Sequence, residues 1–348
     1  MKKNVAIIGF GGMGEWHGNK ILENGVVNLI GIWDIDEARR EYAKGKGIRV
    51  YSSQEEVLSD PDVDIVTIAT PNDCHRPIAE AALAAGKNVI SEKPVTDSSE
   101  NLQAMIDASN KYGKLFTVHQ NRRWDADFLQ MKEIYKSGKL GLVHAIESRV
   151  QGSHGIPGDW RGEKKHGGGM VLDWGVHLID QALQMVEEKI VSIYATMDHV
   201  TNEEVDDGFK LDITFDSGLV YRIEVGTSNF ISLPRWYMVG NNGSAITNGF
   251  NRDGKIVCCE IRKDVNVVPV KTAAGLTKTM APRSPETIRE FPLPEVVTDV
   301  HDFYRNVAKA VDGIEPQLIT HAEVMRVMKV MEAAFEADRL KQVVPFNE

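Results

Sequence analysis

Five short apolar runs spaced by helical segments, a glycine-rich turn after the first of them, and a later block of alternating strands predict an α/β protein in two domains. At roughly 150 residues per domain, the 348 residues are too many for one ordinary core. The boundaries fall at 1–120 and 121–348, with a crevice between the parts and a C-terminal helix that can return to the first.

The apolar runs are Asn4–Ile8, 27–33, 63–69, Asn88–Ser91 and 115–119. Strands that alternate with helices imply a parallel sheet covered on both faces. Helix starts are marked by Ser52 with Glu55 and by Asp97 with Glu100, each a capping side chain three residues before an acid that can reach back. Gly86 and Gly113 stand where helices should end.

The first strand-to-helix turn reads Gly9-Phe10-Gly11-Gly12-Met13-Gly14, and Asp34 closes the second strand 20 residues after the last of these. In that context the glycines form a dinucleotide fingerprint of the Rossmann type. Gly9 permits the tight turn, Gly11 the approach of a pyrophosphate, and Gly14 the packing of helix on strand, while the helix N-terminus offers free N–H groups. Asp34 suits an adenosine ribose and repels a 2′-phosphate, which favours NAD; Arg39 and Arg40 keep NADP open.

Composition narrows the partner. A formal net charge of -10 argues against a nucleic-acid interface and leaves a small molecule. Cys74, Cys258 and Cys259 give neither a disulfide framework nor a zinc pattern, and no apolar run is long enough to span a membrane. A cytoplasmic protein is expected. No metal site is evident, since a third ligand for Asp173 and His177 is not identifiable.

Thr70-Pro71-Asn72-Asp73-Cys74-His75 follows the third strand of the sheet and Glu92-Lys93-Pro94 the fourth, at the carboxyl ends where open α/β sheets bind ligands. Together with the glycines and with Asp173-Trp174-Gly175-Val176-His177, these residues resemble the Gfo/Idh/MocA family of sugar and polyol oxidoreductases. The resemblance implies a C-terminal domain built on a large, open, mostly antiparallel sheet. It implies Lys93, Asp173 and His177 as the catalytic group. It also implies cofactor contacts at Gly9, Gly11, Gly12, Met13, Gly14, Asp34, Thr70, Pro71, Asn72, His75, Glu92 and Lys93. Residues 119–125 look like the segment joining the domains.

The later sequence agrees with such a sheet. Runs 209–215 and 219–225 flank Asp216-Ser217-Gly218, a hairpin signal, and 143–150, 190–197 and Trp236–Gly240 are further strands. A sheet face of this size is expected to be covered by a second copy, as a homo-oligomer, dimer or tetramer.

At 100° per residue, Leu172, Val176, Ile179 and Leu183 share one side of a helix, Trp174, Leu178 and Met185 another, and Asp173, His177, Asp180 and Gln184 form a polar stripe between them. The stripe belongs either to a structural network, Asp173 and His177 pairing one turn apart, or to a site in the crevice. The preceding Gly167, Gly168 and Gly169 would let a ligand approach the backbone. On the second reading His177 is the general base, oriented by Asp173, and Lys93 stabilises charge on the same substrate oxygen, or Lys93 and His177 exchange roles. Asp180 and Gln184 are assigned to structure. Arg122, Trp160 and Arg161 are candidates for substrate contacts.

The activity expected is hydride transfer between nicotinamide and a secondary alcohol of a sugar, glycoside or cyclic polyol resembling inositol. A redox-assisted glycosidase with retained NAD and a non-catalytic NAD-sensing regulator are the alternatives.

Overall fold

The computed structural model describes residues 2–250, 253–263 and 267–347. In the N-terminal part, β1 (Asn4–Ile8), α1 (Gly12–Asn24), β2 (Asn28–Trp33), α2 (Glu37–Gly45), α3 (Gln54–Ser59), β3 (Ile65–Ile68), α4 (His75–Ala84), β4 (Asn88–Ser91), α5 (Ser99–Tyr112) and β5 (Phe116–Val118) follow in order. The five strands form one parallel sheet, ordered β2-β1-β3-β4-β5. All four residues of β3 are buried, and so are all but the first of β1 and β4, so these strands read as unbroken apolar runs rather than alternating ones. The order reverses beside β1, which places the glycine turn and the ends of β3 and β4 along one edge.

Both helix caps lie one residue later than the sequence reading placed them. Ser53 rather than Ser52 caps α3, accepting from the Glu56 amide at 3.1 Å. Ser98 rather than Asp97 caps α5, accepting from the Asn101 amide at 3.3 Å. In each case two capping side chains stand in a row, and the phase that buries Val57 or Leu102 selects the second. Gly113 closes α5 in the left-handed conformation, as expected.

The second part begins with α6 (Ala126–Lys136) and β6 (Val143–Gln151). The segment predicted as one helix in the 170s starts with a π-helical turn over Val171–Gly175 and continues as α7 (Val176–Met185). Then come β7 (Ile190–Asp198), β8 (Gly208–Phe215), β9 (Val220–Gly226), β10 (Trp236–Gly240), β11 (Gly243–Thr247), β12 (Gly254–Cys259), a separate hairpin of β13 (Val270–Thr272) and β14 (Gly275–Thr277), and β15 (Ile288–Phe291). Two helices, α8 (His301–Val311) and α9 (His321–Leu340), precede β16 (Val344–Pro345).

Nine of these strands form the large open sheet, ordered β15-β12-β11-β10-β6-β9-β8-β7-β16, with β6 and β9 parallel and the other pairs antiparallel. Alternation along β8 turns Phe209, Leu211, Ile213 and Phe215 inward, and α7 lies against the neighbouring β9 on one face. The predicted hairpin joins β8 and β9, and Gly218 takes a positive φ of 86° in its turn. Helix α9 returns toward the first part: Glu332 accepts from the Ser99 amide and hydroxyl at 2.7 and 2.9 Å, and His321 meets the Phe116 carbonyl at 2.8 Å. No helix among the described residues is long and apolar enough to cross a membrane.

Candidate active site

A cleft of about 850 Å³ runs from the glycine turn to the crevice, within the usual size of a cofactor site. Gly9, Gly11, Gly12, Met13 and Asp34 line one end, and Thr70, Pro71 and Asn72 the middle. Glu92, Lys93, Trp160, Arg161 and Asp173 line the other end. The glycines divide into two kinds. Gly9 has φ 88°, and a Cβ there would stand 2.6 Å from the Ala69 carbonyl oxygen; a Cβ on Gly14 would stand 2.0 Å from that of Gly9. These two hold the turn against the sheet. Gly11 and Gly12 have no atom within 4 Å of such a Cβ, so they open onto the cleft.

That opening fits a dinucleotide. Gly11 caps α1 in extended conformation without a side-chain bond, leaving the helix N-terminus to a ligand. The hydroxyl of Thr70 is buried beside it without a protein partner. Asp34 is held in place by its own chain, accepting from the Phe10 amide at 2.5 Å and the Asp36 amide at 2.8 Å. Arg40 is turned to the carbonyl oxygens of Asp34 and Ile35, at 2.6 and 2.9 Å.

His75 is placed differently from the other cofactor candidates. It is fully buried beneath the cleft, one ring nitrogen 2.9 Å from the Thr70 carbonyl and the other 3.0 Å from that of Pro94. It ties the ends of β3 and β4 together. Burial pushes its pKa down.

Glu92 is also buried, and its Oε1 lies 2.8 Å from both His17 Nε2 and His119 Nδ1, while Oε2 accepts from the Lys93 amide at 3.1 Å. Tyr304 of α8 meets His17 Nδ1 at 2.7 Å. These are ligand-type residues, and the sequence reading saw no such cluster, but their spacing is that of hydrogen bonds to one shared oxygen. Burial raises the Glu92 carboxyl, and the two imidazoles outweigh it, so it is held well below the usual carboxylate range. The cluster thereby fixes the backbone that carries Lys93.

At the crevice, Lys93 Nζ donates to Asp173 Oδ1 and to the Asp173 carbonyl, both at 3.0 Å. Arg161 Nε lies 3.4 Å from the other Asp173 oxygen. Burial raises the Asp173 carboxyl, but Lys93 and then Arg161 bring it below its ordinary value. The expected Asp173–His177 contact is therefore replaced: the carboxylate serves the lysine. In the π turn the spacing of four no longer stacks side chains as it does in an α-helix.

His177 is buried, and its Nδ1 has no protein partner. Burial, then Lys93 and Arg122, hold its pKa well below the ordinary histidine value. Gln120 Oε1, Asn121 Oδ1 and Arg122 Nε, between β5 and α6, are likewise buried and unpartnered. Arg122 lies 4.2 Å over the Trp174 ring and is paired with Asp125 at 2.9 Å, outside the cleft lining.

Asp180 is held by Arg123 in a two-pronged pair of 2.8 and 2.6 Å, and Gln184 donates to Glu323 at 2.7 Å. The three glycines before the helix serve the fold rather than a ligand. Added Cβ atoms would meet Asn72, the Arg161 carbonyl and Asp206 respectively. Trp33, Ile35, Gln54 and Ile78 line the cleft without having been expected. Their only signal is position: the first two flank Asp34, and nothing local marks the others.

A family model described as "Oxidoreductase family, NAD-binding Rossmann fold" matches residues 3–120, and one described as "GFO/IDH/MocA C-terminal domain" matches 128–246. A solved NAD-binding protein from Listeria innocua is 44% identical, with a TM-score of 0.95 over 99% of each chain. A scyllo-inositol 2-dehydrogenase (NADP(+)) of Bacillus subtilis is 27% identical over 98% of this chain and 95% of its own. A myo-inositol 2-dehydrogenase of Thermotoga maritima is 27% identical over 58% of this chain and 60% of its own.

Proposed function

The chain belongs to the Gfo/Idh/MocA family of NAD-binding oxidoreductases, and from that premise we propose that its substrate is a secondary alcohol of a cyclic polyol, sugar or glycoside. The observation that carries the reading is the meeting of Lys93 and Asp173 at the inner end of the cofactor cleft, with His177 in the next turn of the same helix. A nicotinamide bound there supplies the hydride acceptor or donor. Gly11, Gly12 and the start of α1 would hold its phosphates, Asp34 its adenosine ribose, and Thr70 and Asn72 the stretch between.

The protein's own part is to move one proton and stabilise one oxygen. Oxidation of an alcohol requires the hydroxyl proton to leave as the hydride leaves carbon. His177, neutral because it is buried beside cations, has a nitrogen without a partner and can take that proton. Lys93, oriented by Asp173, donates to the same oxygen and favours its developing charge. Asp173 thus acts through the lysine instead of through the histidine. Trp160 and Arg161 at the inner end of the cleft suit a substrate with several hydroxyls. The inositol dehydrogenases among the relatives make inositols the first substrates to try. NAD is favoured over NADP because Arg40 is engaged with backbone oxygens, leaving no fixed guanidinium beside Asp34 for a 2′-phosphate.

The test is NADH or NADPH formation with scyllo-inositol, myo-inositol, aldoses and glycosides. Wild-type protein should turn over at least one member of this panel, and Lys93→Ala and His177→Ala should each lose about 100-fold to 10,000-fold in kcat. Near wild-type rates in both variants would refute the roles assigned.

A further inference from the structure

The helix that carries Asp173 and His177 has no local cap. Met170 stands at its N-cap and contributes no side-chain bond, yet an α-helix leaves its first N–H groups in need of acceptors. The acceptors come from 35 residues away. Asp206, in the connection from β7 to β8, takes the Val171 amide on its carboxylate Oδ2 at 2.8 Å and the Met170 amide on its main-chain oxygen at 2.9 Å. Gly169 makes room for it: φ is 106°, and a Cβ there would stand 2.3 Å from Asp206 Oδ1. The carboxylate is buried.

From this geometry we infer that Asp206 is a positioning residue, which sets the start of the catalytic helix and through it the placement of Asp173 on Lys93 and of the buried His177 one turn on. The inference rests on the proposed roles of those three residues. A carboxylate in the connection from β7 to β8 fixes the height of the π turn, and Asp173 donates its own amide to the Gly169 carbonyl at 3.0 Å just inside that anchor. Loss of the anchor lets the turn fray, and the Lys93–Asp173 contact at 3.0 Å loses its fixed partner.

The same burial gives the anchor a pH dependence. Desolvation pushes the Asp206 carboxyl up to about 7, opposed by the amides it binds and by His199. Other titratable groups on the surrounding segments are Glu203, Glu204 and Asp207 on its own connection, Asp173 on the helix, and Arg161, Glu163, Lys164, Lys165 and His166 on the loop in which the Arg161 and Glu163 carbonyls hold Gly169 and Gly168. None of the ion pairs among the described residues includes Asp206; Arg161 pairs with Asp159 and Asp173, and Glu163 with Lys165 and His166. Ionisation above neutrality strengthens the Val171 N–H bond but leaves a buried charge that the amides offset only in part, so the anchor weakens as pH rises through about 7.

The experiment compares wild type, Asp206→Ala and Asp206→Asn by amide hydrogen exchange of a peptide spanning 168–178, by NADH fluorescence titration, and by kcat and KM for the panel alcohol that wild type turns over. In Asp206→Ala, exchange in that peptide should rise about tenfold and kcat fall about tenfold, with NADH affinity and alcohol KM within threefold. Asp206→Asn keeps an acceptor, so it should restore protection and most of kcat, but lose the inflection near neutral pH that wild type shows.

Wild-type exchange in Asp206→Ala, or a loosened helix with undiminished kcat, overturns the inference. So does loss of NADH affinity in step with kcat, which is what general unfolding gives. If Asp206→Ala does not fold, the pH profile of Asp206→Asn decides, and an unchanged inflection overturns it. If wild type turns over no panel alcohol, the functional proposal fails, while the exchange of the 168–178 peptide still tests the anchor.

Discussion

The two walls of the cleft are built on different principles. On the first-domain side the site is made of backbone: a turn with positive φ at Gly9, a bare helix N-terminus, and strand ends tied by His75 to carbonyl oxygens. On the second-domain side it depends on side chains that meet across long separations, Lys93 with Asp173 over 80 residues, and the helix that carries Asp173 is held the same way, Arg123 to Asp180 over 57. A backbone site is encoded where it stands. A side-chain site is encoded in pieces that only folding brings together, and it fails piece by piece when a partner is removed.

The strongest way to break the side-chain wall is Asp180→Ala, which leaves the Arg123 guanidinium buried with only Glu323 at 3.4 Å for company. A destabilisation of about 3–5 kcal/mol in chemical denaturation is expected. NADH affinity of the folded fraction should not change. A loss of affinity without a loss of stability would show that the stripe residue belongs to the site and not to the scaffold.

The matching break in the backbone wall is Gly14→Ala, whose Cβ meets the Gly9 carbonyl at 2.0 Å. It should cost up to about 3 kcal/mol of stability by overpacking and abolish NADH binding, because helix and turn must part. Gly11→Ala sharpens the comparison. With no protein atom within 4 Å, it should leave the melting temperature within about 1 °C, yet weaken NADH affinity about tenfold, a cost of about 1.4 kcal/mol. Equal losses in stability for the two alanines would mean that the distinction between packing and cradle glycines is wrong.

The smallest effect is read by pH. His75, His119 and His177 are buried, and burial lowers each pKa below the unfolded value. The unfolded chain therefore binds protons that the folded chain refuses as pH falls below about 6.5, so stability drops on acidification by up to about 1.4 kcal/mol per pH unit for each ring. Asp206 acts with the opposite sign: its raised pKa makes the folded state hold a proton between about 4 and 7, and its contribution to stability is lost as pH rises through 7. Denaturation at pH 7.5 and 5.5 should show a smaller acid loss in His177→Asn than in wild type. An equal loss would place His177 in a hydrated, protonatable setting and contradict the neutral base.

What was legible in the sequence follows the same division. The parallel sheet, the glycine turn and the loops after β3 and β4 were readable because strand, turn and helix start are adjacent in the chain, and their periodicity names them. The π turn was not, because a 3.6-residue periodicity fits Val176, Ile179 and Leu183 whether or not one residue is bulged before them. That bulge is why Asp173 turned to Lys93 and not to His177. Gly167, Gly168 and Gly169 were visible as a feature but read for the wrong neighbour, since Asn72, Arg161 and Asp206 approach them only in three dimensions. His17 and Tyr304 carry no motif, and their link to Glu92 joins residues 75 and 287 positions from His17.

In the proposed reaction one cleft brings the cofactor to Lys93 and Asp173, with His177 beside them, for hydride transfer. The most direct test is a single-turnover reaction with scyllo-inositol, or the panel alcohol that wild type turns over, deuterated at its ring carbons, with the product nicotinamide examined by mass spectrometry. Wild-type protein should place one deuterium on the reduced cofactor, and His177→Ala should place it at a rate lower by about 100-fold or more. Reduced cofactor without deuterium, or cleavage of a glycoside with no net reduced cofactor, would contradict the account, the second outcome being that of a redox-assisted glycosidase.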